Sequence, residues 1–400
     1  MGMKKHGLPL FFFTFLTVIL ISCHQESESV TGVEPTGTIS METNLMIGLE
    51  DQPFENQFGR PIAVRTDPEN NIYVADRASL TIKVFDRDGH YIRSLGGRGR
   101  GPGEFQEMEI MEWTPEGNLV IMDRGNLQYT VISTDGEFVE SYPYNMSDQF
   151  FPSAIQYTDG RMLALFLDAS PWSEITWENR DLFHVYSEDF QERHDTFFPY
   201  NRLSIQGRYS WIEMMFAPGS FTLAKDGSGF YYSPGIYTGS LYEFINNDEG
   251  QWQHHKILPG AKPDVEPYTV FSTEEEYQKA RLLPGSLLIR WGGEPHMGRV
   301  LSISMGVFYR EDGNLIHFFG TRRENEEFAE ESDFHFLDMY AQVFSPEGEI
   351  LHFDLITTTH ERQFSRLKSF INWKDEDDNY YLIDYVEDLP VIRRFTLQFE

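Results

Sequence analysis

The chain has a single cysteine among its 400 residues, so no disulfide can form within it and oxidation contributes nothing to its folding. Positive charge is scarce. Lysine and arginine together number 32, against 63 aspartates and glutamates, which gives a formal net charge of −31 and a pI near 4.7. A chain this acidic cannot hold a nucleic-acid backbone by counterion release, so nucleic acid is excluded as a partner. Lysine is the rarer cation, 9 against 23 arginines, a balance that suits a saline habitat. Catalytic signatures are missing too. No Gly-x-Ser-x-Gly elbow occurs, and no Gly-rich segment is followed by Lys-Ser/Thr at the start of a helix. What is abundant is aromatic: 33 Phe, 20 Tyr and 7 Trp, residue types that fit a pleated, half-buried surface, in a chain that is 40% apolar and so able to fold despite its charge. Composition points to a β protein.

The one long apolar run, Leu8 through Ile21, follows Lys4 and Lys5 and ends at Cys23. It is short for a membrane span and no stop-transfer charges follow it, which fits a secretory leader. Leu20-Ile21-Ser22-Cys23 resembles the bacterial lipobox. That resemblance implies cleavage before Cys23, a thioether-linked diacylglycerol on its sulfur, and usually a further acyl chain on the new amino terminus. Several chains anchor stably where one would be marginal. The alternative is an ordinary secretory signal with a stray buried cysteine. With Cys23 lipidated, thiol catalysis is excluded. The expected organisation is a signal peptide over 1–22, a lipidated cysteine and flexible tether over 23–38, and one domain over 39–400. Loss of 1–22 removes Lys4 and Lys5 and no acid, leaving −33 on the exported body. Glu26 and Glu28 loosely resemble the acidic surface-export signals of Bacteroidota-type lipoproteins; periplasmic and outward orientations both stay open.

One unit recurs along the body: a turn, an Asn, three or four apolar residues and often an Asp. It stands at Asn71–Asp76, Asn118–Asp123, Asn314–Phe319 and Asn379–Asp384. The outer intervals are 47 and 65 residues, and the 196 between the second and third leaves room for two degenerate units. These are found at Met162–Phe166 and Phe230–Tyr232, which makes six. Each unit is framed by an entering strand, a third strand, a second turn and a fourth strand, so each reads as a four-stranded propeller blade. The alternative is a two-sheet β-sandwich, which does not require one unit to recur. The last unit is one strand short, and the stretch Ile39 to Ile47 is expected to complete it by pairing with the carboxy-terminal strand. Spans near 168–181, 200–219, 261–300 and 322–338 interrupt the rhythm and are expected to be loops or small helices, with a helix over Glu274 to Leu283 capped by Ser272 or Thr273.

Pro61-Ile62-Ala63-Val64, Asn71 to Asp76, Ile82 to Asp86, Asp88-Gly89 and the run Gly96 to Phe105 closely resemble an NHL-type propeller repeat. The whole body resembles the six-bladed propeller lipoproteins of Bacteroidota and related phyla. The motif match covers blade one and much of blade two, and the later blades depart from it. The resemblance implies a fold and little chemistry.

Few residues stand out as chemical candidates. The run Gly96 to Gly103 with Arg98 and Arg100 could cradle an anion, but it leads into a strand, so a tight crossover that needs positive φ is the expected reading. Asp76-Arg77 and Asp123-Arg124 close the second strand of two blades. They are read either as a recognition pair for a carboxylate or sugar, or as turn aspartates that accept backbone amides. Repetition favours the second. His254 and His255 point to opposite faces of one strand, and His296, His317, His335, His352 and His360 are scattered without ligand spacing. Trp172, Trp177, Trp211, Trp252 and Trp291 lie in or near the insertions, as a platform or as seals. The reading is an all-β, six-bladed propeller anchored by Cys23 in the cell envelope, with the outer membrane the expected site. It is expected to be a monomer that binds or scaffolds an envelope protein, peptide or glycan, with Arg77, Arg98, Arg100 and Arg124 as ligand candidates and no cofactor or metal. The alternative is a metal-dependent hydrolase or lyase with its site in the central channel.

Overall fold

The computed structural model describes residues 37–145, 151–166, 181–199, 202–203, 219–247, 249–281, 283, 285–291, 294–323, 334–362 and 371–400. The leader, Cys23, most of the tether, and Trp172, Trp177 and Trp211 lie outside them, as do the side chains of Trp291, His296, His335 and His360.

The described chain opens with β1 (Ile39–Ile47) and then enters a succession of antiparallel four-stranded meanders. Blade one is β2 (Pro61–Thr66), β3 (Ile72–Asp76), β4 (Thr81–Phe85) and β5 (Tyr91–Leu95). Blade two is β6 (Met108–Trp113), β7 (Leu119–Asp123), β8 (Gln128–Ile132) and β9 (Phe138–Pro143). Blade three is β10 (Ala154–Thr158) to β13 (Arg193–Pro199), with β11 (Arg161–Leu165) and β12 (Asp181–Ser187) between. Blade four runs from β14 (Ser220–Leu223) through β15 (Gly229–Ser233) and β16 (Ser240–Asn246) to β17 (Trp252–Pro259). After an insertion, blade five is β21 (Ser302–Tyr309), β22 (Leu315–Arg322), β23 (Phe334–Phe344) and β24 (Ile350–Arg362), and the last sheet holds β25 (Ile371–Lys374), β26 (Tyr380–Val386) and β27 (Leu389–Phe399). The first strands of successive blades pack side by side, and β25 returns to β2, so the six blades close a ring.

The repeat's unbroken apolar runs follow from this geometry. A middle strand such as Ile72–Asp76 is buried on both faces, because each blade is covered by a neighbour on either side. Ile72 and Val74 pack with Tyr381 and Ile392 of blade six, whereas Tyr73 and Ala75 pack with Met111, Leu119 and Ile121 of blade two. Each of the six blade interfaces holds its own apolar cluster. Between blades three and four the cluster is rich in aromatic rings: Phe183 meets those of Phe197, Phe221, Phe230, Tyr232 and Phe244, with centroids 4.9 to 5.6 Å away. That is where the high aromatic fraction is spent.

The two ends of the body pair as expected. β1 is the outermost strand of blade six, antiparallel to β27 from Ile39↔Phe399 to Ile47↔Ile392. The amides of Thr38 and Glu400 each donate to the other's carbonyl, at 3.0 and 3.2 Å.

Three expectations are corrected. The 261–300 insertion is more than loop and helix: it contains a three-stranded sheet of β18 (Tyr268–Phe271), β19 (Ser286–Trp291) and β20 (Glu294–Val300), in the order β18-β20-β19. Its edges carry β-branched and aromatic residues, which favour extension. The helix α1 is shorter than expected, Glu274–Ala280, and starts on a capping box in which Thr273 Oγ1 accepts from the Glu276 amide. The 322–338 span is likewise partly strand, since the β22–β23 ladder continues to Arg322↔Leu337. Arg322 is buried there and donates to the Val300 carbonyl at 2.6 Å, which ties the blade to the inserted sheet. Among the described residues no helix is long and apolar enough to cross a membrane.

Candidate functional site

In an antiparallel meander the first and third turns share one end of the blade, and the second turn and the exit share the other. At the first end the ring opens into a central cavity of about 1200 Å³ lined by the inner strands of all six blades. Its half-buried aromatic residues include Trp113, Tyr157, Phe308, Tyr309 and Trp373. Carboxylates among the lining residues number ten, against four cations and no histidine.

The cavity wall is built by cross-blade polar contacts. Arg65 of blade one grips Glu112 of blade two in a fork, Nε to Oε1 at 3.0 Å and Nη2 to Oε2 at 2.8 Å. The pair is 13% and 9% exposed, so its strength is not lost to solvent. Arg65 Nη1 donates to the Val64 carbonyl and to Asn372 Oδ1, and its guanidinium lies 4.7 Å from the Trp373 ring centroid. Both indoles are fixed on Thr66: Trp113 Nε1 donates to its carbonyl and Trp373 Nε1 to its hydroxyl, each at 2.9 Å. Asn372 stitches blade six to blade one by accepting from the Val64 amide and donating to the Ile62 carbonyl. Gln156 does the same between blades three and four, through the Leu223 amide and the Phe221 carbonyl. Across the ring, Lys225 and Lys374 both reach Glu311, at 2.6 and 3.1 Å, and Lys374 also reaches Asp378. The hydrogen bond from Lys225 holds the Glu311 carboxyl below its usual range.

The arginines singled out from sequence do not line this cavity, although Arg77 and Arg124 pair with Glu109, which does. Asp76 and Asp123 act as turn acceptors: Asp76 takes the amides of Gly59, Arg60 and Ala78, and Asp123 those of Gln106, Glu107 and Gly125. Arg77 and Arg124 follow them at the opposite end of the blades, where both meet Glu107 and Glu109. Arg98 and Arg100 are exposed on the crossover from blade one to blade two. None of the four arginines lines the cavity. The crossover requires its glycines, with Gly96 at φ +72° and Gly103 at φ +75°, and a Cβ on Gly96 would stand 2.4 Å from the Phe105 ring. Its interior amide at Gly101 is taken by the Glu104 carboxylate at 2.8 Å. The loop therefore supplies its own anion.

The histidines divide by burial. His317 is fully buried between blades four and five, where Gln342 Nε2 meets its Nδ1 at 2.8 Å. The Ala261 amide donates to Gln342 Oε1, which orients the Gln342 NH₂ towards the imidazole, so Nδ1 accepts. The proton then sits on Nε2, which faces Ser233 Oγ at 2.8 Å and Ser304 Oγ at 3.1 Å. An imidazole that donates to these serines cannot take their protons, so this buried Ser–His contact is a structural bond and not a nucleophile with its base. Burial pushes the imidazole pKa down to about 3. His184, between blades two and three, is also pushed down to about 3, by burial and then by the Arg193 charge, against a contact with the Asp181 backbone that pulls it up. His254 packs its ring on Phe198, Tyr242 and Phe244. Trp252 is buried against Phe230, as a seal. Among the described residues, the one group of three side chains close enough to share a metal ion is Asp86, Asp88 and His90, on a turn between two outer strands and away from the cavity lining. Asp86 is engaged there by the amides of Asp88 and His90.

Residues 55–243 match the family model DUF5128, described as a 6-bladed beta-propeller. Among solved structures, a member of the DUF4221 family from Bacteroides vulgatus superposes over 91% of this chain and 99% of its own, with a TM-score of 0.53 at 10% identity. Virginiamycin B lyase from Staphylococcus aureus aligns over 90% of this chain and 99% of its own, with a TM-score of 0.41 at 9% identity. No curated protein matches the sequence. At 10% identity the likeness to the DUF4221 protein is one of fold, and the family model describes that fold as a six-bladed propeller.

Proposed function

We propose that the chain is a lipid-anchored binding module of the cell envelope, a propeller held at the membrane through Cys23 whose central cavity receives part of a partner. The observation that carries this reading is the cavity itself. Its volume of about 1200 Å³ is larger than a pocket for one small metabolite, which suits a segment of a peptide, protein or glycan. Its walls are braced across blades, by Arg65 with Glu112 and by the amides of Asn372 and Gln156, so the site exists before a ligand arrives. The lipobox at Leu20–Cys23 and the polar tether support an extracytoplasmic placement. Both halves can be tested in one strain. Cys23→Ser should abolish incorporation of labelled fatty acid into the chain and leave its leader uncleaved; fatty-acid labelling that persists without that cysteine sinks the anchoring claim. Thr222→Trp, which fills the cavity from blade four, should abolish capture of whatever partner the wild-type chain retains, and undiminished capture sinks the cavity as the site.

A further inference from the structure

Given that the cavity is a ligand site, its charge narrows the ligand. We propose that it takes a cationic peptide segment, whose basic side chains lie along the arc of wall running from blade six through blades one and two to blade three. The cations that line the cavity are already engaged: Arg65 by Glu112, Lys225 and Lys374 by Glu311, and Arg93 by Asp135 at 3.5 Å. Asp67 and Asp375 are consumed by their own turns, each accepting from the Asn four residues on and from a tyrosine hydroxyl. Glu69, Asp159, Glu188 and Glu376 are different. They line the cavity and form no ion pair among the described residues. Their carboxylates are held by no cation in contact, and all four lie in that one arc.

The aromatic residues point the same way. Trp113, Tyr157 and Trp373 belong to blades two, three and six, in the same arc. Aromatic faces attract guanidinium and ammonium groups, and the cavity wall itself contains such a contact where Arg65 lies over Trp373. A concave site of one sign with low-dielectric walls focuses its field and draws in the opposite charge. An anionic segment would be repelled.

The test uses the purified full-length chain in nonionic detergent and a fluorescein-labelled hexa-arginine peptide, beside a citrulline peptide of the same shape without charge. At low ionic strength the arginine peptide should bind and the citrulline peptide should not. Combining Glu69→Gln with Glu188→Gln should weaken binding by about tenfold. Combining Glu42→Gln with Glu50→Gln, exposed carboxylates outside the cavity, should change it less than twofold. Equal losses in the two double variants, or no binding at all, overturn the proposal. If the citrulline peptide binds as tightly and Trp113→Phe weakens both, charge selection fails while the cavity stands as the binding site.

Discussion

Acid should loosen this ring well before its carboxylates protonate, because two imidazoles are buried without charge. Folding lowers the pKa of His184 and of His317 from 6.5 to about 3, mainly through burial. A base with a depressed folded-state pKa contributes full stability above 6.5, and that stability is lost as pH falls from 6.5 towards 3. Between pH 7 and pH 5 each imidazole should cost about 2 kcal/mol, so the pair should cost about 4 kcal/mol. That is a large part of an ordinary domain's stability. A carboxylate such as Glu311, held low by Lys225, loses its contribution only below its usual value of 4.5, and His254, also lowered by burial, adds to the slope in the same direction. Urea midpoints followed by tryptophan fluorescence at a series of pH values measure the slope. His184→Leu should remove about half of the pair's share. The variant's stability relative to wild type should grow as pH falls from 6.5, because it removes a buried imidazole that acid would charge. His317→Gln should remove the other half but lower stability at pH 7, since Ser233, Ser304 and Gln342 lose a well-placed partner. Parallel pH curves for wild type and the two variants would refute the reasoning.

Other parts of the fold give predictions of the same kind. Deleting residues 39–47 strips the outer strand from blade six and uncovers Ile392 and Leu397, so the urea midpoint should fall sharply; an unchanged midpoint would mean the ring closes without β1. Phe183→Ala, at the centre of the aromatic cluster between blades three and four, should cost about 4 kcal/mol by the same measurement. Glu112→Leu alone should cost about 3 kcal/mol by leaving Arg65 without its carboxylate, and adding Arg65→Met should recover much of it, as a double-mutant cycle would report.

Much of the architecture was legible in the sequence because a propeller repeats one local problem six times. Asn71 marks blade one because its amide and side chain both bind Asp67, and Asn379 binds Asp375 in the same way. The unbroken apolar strand after each Asn reports burial on both faces. The inserted sheet was missed because Tyr268–Phe271 and Ser286–Trp291 are short and lie outside the repeat. The cavity was harder to read. Arginines in conspicuous motifs drew attention to Arg77, Arg98, Arg100 and Arg124, yet the wall is formed by quieter positions. Arg65, Glu112, Phe308 and Trp373 each stand six residues before the Asn of their unit, and all four line the cavity. That spacing was available as a signal. What no spacing could supply is that Arg65 and Glu112 meet, because their contact is made across two blades.

The central claim is that a partner enters the cavity in the living envelope. Placing a photo-activatable benzoyl-phenylalanine at Thr222, inside the cavity, and separately at Tyr91, on the exposed outer strand of blade one, tests it in intact cells of the source organism. Illumination should yield a discrete cross-linked adduct from position 222 and none from position 91. An adduct from position 91 alone, or none from position 222, would contradict the account.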